Sequence, residues 1–261
     1  MKCLNYLTIY STVKIIKKNM YHSKKIYFTP DLKISEIIPD NPYFILFFEH
    51  FGITLPVQDK SIHTVCRENG LNTELVLAFA NLYNGIKEFS VPELSFSDAG
   101  AIIHYLKNSH RFYSDEIYPE ILNTIKKMAE VNDSSEMNLV KKFFTEYFSE
   151  VTEHLKYEDN IVFPYVLTLY EQIENRVPEK RRKGYSVVEY REQHNDIEEK
   201  LEDLKKLLIK YLPQKDDHIL RRNLLNSLFE LDYDLNIHSQ IEEHILIPLV
   251  EKMESHINQS A

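Results

Sequence analysis

Six side chains in this sequence have the types and the spacing to hold metal ions together. His154-x-x-x-Glu158 and His238-x-x-x-Glu242 stand 84 residues apart, and the same offset separates His110 from His194. The likeness continues past the paired motifs, matching Ile161 with Ile245, Pro164 with Pro248, Val166 with Val250, and Asp159 with Glu243. The chain thus reads as one histidine, then His-x-x-x-Glu 44 residues later, and then the whole pattern again. An internal duplication exposes the unit of construction. Here that unit is a helical hairpin, and two hairpins make a bundle.

Residues four apart share a helix face, so each motif sets its histidine and glutamate side by side. Asn132 lies midway between His110 and His154, in a polar turn. Asp216 lies midway between His194 and His238, in another. Residues equidistant from the turn of an antiparallel hairpin sit at one height. His110 is therefore expected to meet His154, and His194 to meet His238, in one layer with Glu158 and Glu242.

Histidine and glutamate buried without partners cost several kcal/mol each. Two divalent ions would cancel the carboxylate charge and use the imidazole lone pairs. A carboxylate can bridge two ions through its two oxygens. Mixed imidazole and carboxylate ligation suits a di-iron or di-manganese centre. The His-Glu-x-x-His signature of zinc peptidases is absent. A third pair, His194 with Glu198, has Ser114 where its repeat partner would be. Glu198 is accordingly read as solvated, and Glu198→Ala is expected to leave metal content unchanged.

The elements that must position these residues are helices. The 261 residues include only 5 glycines and no tryptophan, with 43% hydrophobic residues to fill a core. Four long helices are expected over about 97–130, 137–173, 186–211 and 218–257. Polar turns at 132–135 and 213–216 and a longer link at 178–184 would join them into an up-down bundle. Pro164 and Pro248, each six residues past a glutamate, point to a matched kink beside the site. Ahead of the bundle, residues 27–90 read as a small helical domain. Asp31–Ile38 would form a turn or two, Pro39 and Pro42 would break it, Phe44–Phe51 would be core, and Thr73–Tyr83 a second helix. Residues 1–26 read as an extension, and Val91-Pro92 as the linker to a bundle spanning 91–257. With all six proposed ligands beyond that linker, a fragment starting near Glu93 is expected to fold and bind its full metal complement.

The net charge of -9 and the lack of a basic stripe argue against a nucleic-acid partner. The cluster Lys180-Arg181-Arg182-Lys183 reads as a solvated loop. Two cysteines suit a reducing cytoplasm. No apolar run reaches the roughly 18 residues of a membrane span.

At these residues the chain resembles the hemerythrin-like HHE cation-binding proteins, over about 97–255. Asn108-Ser109-His110, His154-x-x-x-Glu158 with Phe163-Pro164, and His238-x-x-x-Glu242 with Ile247-Pro248 carry the resemblance. Four histidines with two glutamates are closer to the iron-sulfur cluster repair di-iron proteins of that family than to its oxygen carriers. The resemblance implies an all-α bundle with two iron ions and a small diatomic ligand, oxygen or nitric oxide. It also implies a place in recovery from nitrosative or oxidative damage, with damaged iron-sulfur proteins as partners. Phe48-Glu49-His50-Phe51-Gly52-Ile53 resembles the domain ahead of the repair proteins' bundle, which carries adjacent cysteines just after Gly-Ile. Here Thr54-Leu55-Pro56-Val57 follows instead, and Cys66 reads as a small buried apolar residue. Three functions are consistent with the residues. One is a di-iron stress protein serving cluster repair. Another is a non-enzymatic di-iron module that binds or senses oxygen, nitric oxide or iron. The last is an interaction domain, which a complete ligand set disfavours. Among the other histidines, His104 is assigned to packing or support, and His244 to a hydrogen bond near the site. His22, His50, His63, His218 and His256 are assigned to surface or cap positions.

Overall fold

The computed structural model describes residues 27–86, 94–175, 185–193, 198–213 and 215–260. The expected extension, the Val91-Pro92 linker, the basic loop and His194 lie outside these residues. Among the described residues all regular structure is helical, apart from one isolated bridge between Lys33 and Ser61.

Four short helices come first: α1 (Ile34–Asp40), α2 (Phe44–His50), α3 (Ile62–Glu68) and α4 (Thr73–Tyr83). Pro39 does not break the chain where the sequence suggests; it sits in the last turn of α1. Gly52, at φ +75°, ends α2. Its N–H donates to the Glu49 carbonyl and that of Ile53 to the Phe48 carbonyl, the left-handed stop that glycine permits. Helix α3 was not foreseen. Ser61 caps it by accepting from the Thr64 amide, and Ile62, Val65 and Cys66 form its buried face.

The bundle follows. Helix α5 covers 99–131 and α6 covers 135–175. The third arm is described as α7 (Val187–Gln193) and α8 (Glu198–Lys210), and α9 covers 218–260. Each arm packs on the next, and α9 returns to α5, closing an up-down ring. Ser95 and Asp98 form a reciprocal capping box ahead of α5, and Ser134 caps α6 by accepting from the Met137 amide.

Three bundle helices widen for one π turn each, at Phe112–Ile117, Glu158–Val162 and Glu242–Leu246. A proline follows each turn by two residues: Pro119, Pro164 and Pro248. Proline lacks an N–H and its ring collides with the carbonyl four residues earlier. A wider turn moves that carbonyl aside without breaking the helix. The matched prolines thus give widened turns that begin at the two glutamates of the repeat.

Two hydrophobic clusters fill the molecule. One, built around Phe144, Tyr147, Leu204 and Leu228, lies toward the turns. The other joins α1–α4 to the opposite half of the bundle, so that Phe47, Phe79 and Tyr83 share a core with Tyr105, Phe163 and Ile241. The segment before the linker therefore has no core separate from the bundle.

At the turn end, Asn132 (0% exposed) donates through Nδ2 to Asp217 at 3.2 Å and to the Pro213 carbonyl at 3.3 Å. Arg221 donates to both Asp217 oxygens, at 3.2 and 3.1 Å. Burial raises the Asp217 pKa, but the Arg221 and Asn132 donors outweigh it and the net shift is downward. The stability this contributes is present above the unfolded-state pKa of about 3.9 and fades as pH falls through the lower folded value. Asp217→Ala is expected to cost about 1–3 kcal/mol, because it strands the buried Asn132 amide. Urea unfolding should show the loss at neutral pH, and metal content should not change.

Candidate metal centre

Glu158 begins the π turn of α6 and is 0% exposed. Its Oε2 lies 3.3 Å from His110 Nε2 on α5, and its Oε1 lies 3.3 Å from His154 Nε2, one turn earlier on α6. Neither oxygen accepts a hydrogen bond from a described residue. A buried carboxylate in that condition is costly, and its lone pairs share their space with imidazole nitrogens.

From α9, His238 Nε2 comes within 3.4 Å of His110 Nε2. His110, Glu158 and His238 each place one ligand atom within 4.8 Å of the other two, and all three residues are buried. Glu242, 1% exposed, stands one turn after His238 with Oε2 3.5 Å from its Nε2. Glu242 Oε1 accepts from the Tyr190 hydroxyl at 2.7 Å. Burial, reinforced by the charges of Glu242 and Glu158, pushes the Tyr190 phenol well above its ordinary pKa, so it stays a donor.

The electrostatics favour a cation. Burial lowers the His110 pKa, but the nearby Asp159 and Glu158 carboxylates outweigh it and push the ring up to about 9. Without metal, an imidazolium proton stands where a metal cation would balance the same carboxylates. Asp159 Oδ1 approaches His110 Nδ1 at 3.2 Å, on the side away from Glu158. Phe163 stacks on the His110 ring at 5.4 Å, and Tyr113 meets His238 edge-on at 5.7 Å. These aromatic walls restrict water and stiffen the rings.

The structure thus brings His110, His154, Glu158, His238 and Glu242 to one level of the bundle, while His194 lies outside the described residues. The expected His110–His154 pairing runs through Glu158, with one ring at each oxygen. The Glu198 side chain also lies outside the described residues. His104 is exposed, its Nε2 3.1 Å from Asn108 Nδ2, and His244 is exposed.

His50 corrects the sequence reading, which put it at the surface. It is 2% exposed and its Nε2 lies 3.0 Å from Asp234 Oδ2. Asp234 also accepts from Tyr113 at 2.6 Å and from Tyr83. These partners tie α2 and α4 to α9, one turn before His238. Asp234 and Tyr190 were missed; Asp234 sits four residues before His238 and so on its helix face.

Residues 101–212 match the family model described as the hemerythrin HHE cation binding domain. That span holds His110, His154, Glu158 and His194 of the six proposed ligands and stops before α9. No curated protein and no solved structure matches the chain. The matched region is thus similar to a cation-binding module, and its described regular structure is helical. No helix among the described residues is long and apolar enough to cross a membrane.

Proposed function

We propose that the bundle holds two iron ions on His110, His154, Glu158, His194, His238 and Glu242 and binds a small diatomic ligand, oxygen or nitric oxide, in the response to nitrosative or oxidative stress. The observation that carries this reading is Glu158, fully buried, with two unpartnered oxygens facing imidazoles from two helices. A bound pair of ferrous ions would supply the electrons and open coordination that a diatomic ligand requires. The residues hold the carboxylates in place, keep the imidazoles oriented and exclude water through Phe163 and Tyr113.

Iron-sulfur cluster repair is the setting that the resemblance implies. Reversible binding or sensing is the second reading, and Cys66 favours it. That thiol is 1% exposed, and burial raises its pKa to about 11 against hydrogen bonding from Thr73 and its own backbone. It is an inert core group, and no cysteine pair stands where the repair domain carries one.

Elemental analysis of full-length protein from iron-replete cells should give about two irons per chain, the number the six-residue layer can ligate. One zinc, or no metal, would overturn the reading. Anaerobic exposure of the reduced protein to nitric oxide then separates the roles. Catalytic loss of nitric oxide supports the stress enzyme, and stoichiometric uptake supports the binding module.

A further inference from the structure

Ser109 is 1% exposed and faces α9 from the residue before His110. Its Oγ lies 2.7 Å from the Leu106 carbonyl oxygen and 2.8 Å from His238 Nδ1. A hydroxyl has one proton, and a carbonyl oxygen only accepts. With that proton on the Leu106 carbonyl, Ser109 is left to accept from His238, whose Nδ1 then carries the hydrogen. The neighbouring Tyr113 hydroxyl does not donate to Ser109, because its own proton goes to Asp234 at 2.6 Å. With Nδ1 protonated, the lone pair of His238 lies on Nε2, the nitrogen that faces His110 Nε2 and Glu242 Oε2.

Resting on the two-ion reading above, we propose that Ser109 is a positioning residue that locks His238 in the Nδ1–H tautomer. Together with His110 and Glu158, His238 thereby forms a preformed position that captures the first ion. The remaining ligands complete the second position. His154 is the more open ring, with its side chain 16% exposed against 5% for His238. A hydrogen bond to the distal nitrogen of a ligating histidine fixes both its tautomer and its ring orientation. Nothing in the spacing of the repeat reveals this role, because the serine serves a histidine 129 residues away.

The test uses full-length metal-free protein with ¹⁵N-labelled histidine. Nuclear magnetic resonance should show His238, assigned by its loss in His238→Gln, as a single Nδ1–H tautomer. In Ser109→Ala that preference should disappear. Anaerobic calorimetric titration with ferrous iron should give two steps in the unsubstituted protein. Ser109→Ala should weaken the first step by about 10–100-fold, with the second step nearly unchanged. Ser109→Thr, which keeps the hydroxyl, should restore the first step. A His238 protonated on Nε2 in the unsubstituted protein overturns the proposal, and that measurement does not depend on any variant folding. So does an unchanged first step in Ser109→Ala, or equal weakening of both steps. If the unsubstituted protein binds no ferrous iron at all, the two-ion reading fails instead.

Discussion

Glu158→Gln is expected to abolish the binding of both proposed ions. Replacing an outer partner of a metal ligand costs about 10–100-fold in affinity, so replacing a carboxylate proposed to bridge two ions should cost more. The variant should keep its helix, since glutamine matches glutamate in size and in helix propensity. Metal-free Glu158→Gln should therefore melt within a few degrees of the parent. The parent should gain about 3–4 kcal/mol at free iron 100 to 1,000 times its dissociation constant, and the variant should gain nothing. Iron content and paired thermal scans check this. Glu242→Gln is expected to lose both ions as well. A stable one-iron protein from either variant would make that carboxylate a ligand to a single ion.

Removal of the front segment is expected to have the second large effect. The sequence suggests that a fragment starting near Glu93 stands alone, because every proposed ligand follows it. The shared core points the other way. Phe47 and Phe51 pack at 6.1 and 4.7 Å from the Tyr105 ring, and Phe79 at 5.0 Å. Each such side chain contributes about 1.5–3 kcal/mol when buried. The fragment would also strip His50 and Tyr83 from Asp234, leaving a carboxylate that is 2% exposed with fewer donors. Losing several of these contacts together rivals the 5–15 kcal/mol of net stability typical of a domain. The fragment should be insoluble, or should unfold at a much lower temperature and with less iron bound than the full chain. A monomeric fragment with an unchanged melting temperature and two irons would show that the front helices only cover the bundle.

Much of the bundle was legible because its signals are local and repeated. Helical periodicity, the polar turns at Asn132 and Asp216 and the 84-residue repeat locate the hairpins. The i, i+4 rule then puts Glu158 beside His154 and Glu242 beside His238 without any knowledge of packing. Matched prolines announce a disturbance at Pro164 and Pro248, although the pattern alone does not say that a widened turn rather than a sharp bend accommodates them. The short helix α3 was missed because seven residues with one cap give a weak periodic signal.

What the sequence determined by itself is the chemistry available at each height of each helix, since covalent spacing and helical geometry fix both. Only the tertiary structure decided which residues from different helices share a space. It set His238 against His110, gave Ser109 to His238, and brought His50 and Tyr83 to Asp234 across 184 and 151 residues of chain. Those meetings depend on how whole helices rotate and slide to bury their apolar faces. No run of neighbouring residues encodes that outcome, because it is settled by the packing of all the helices at once.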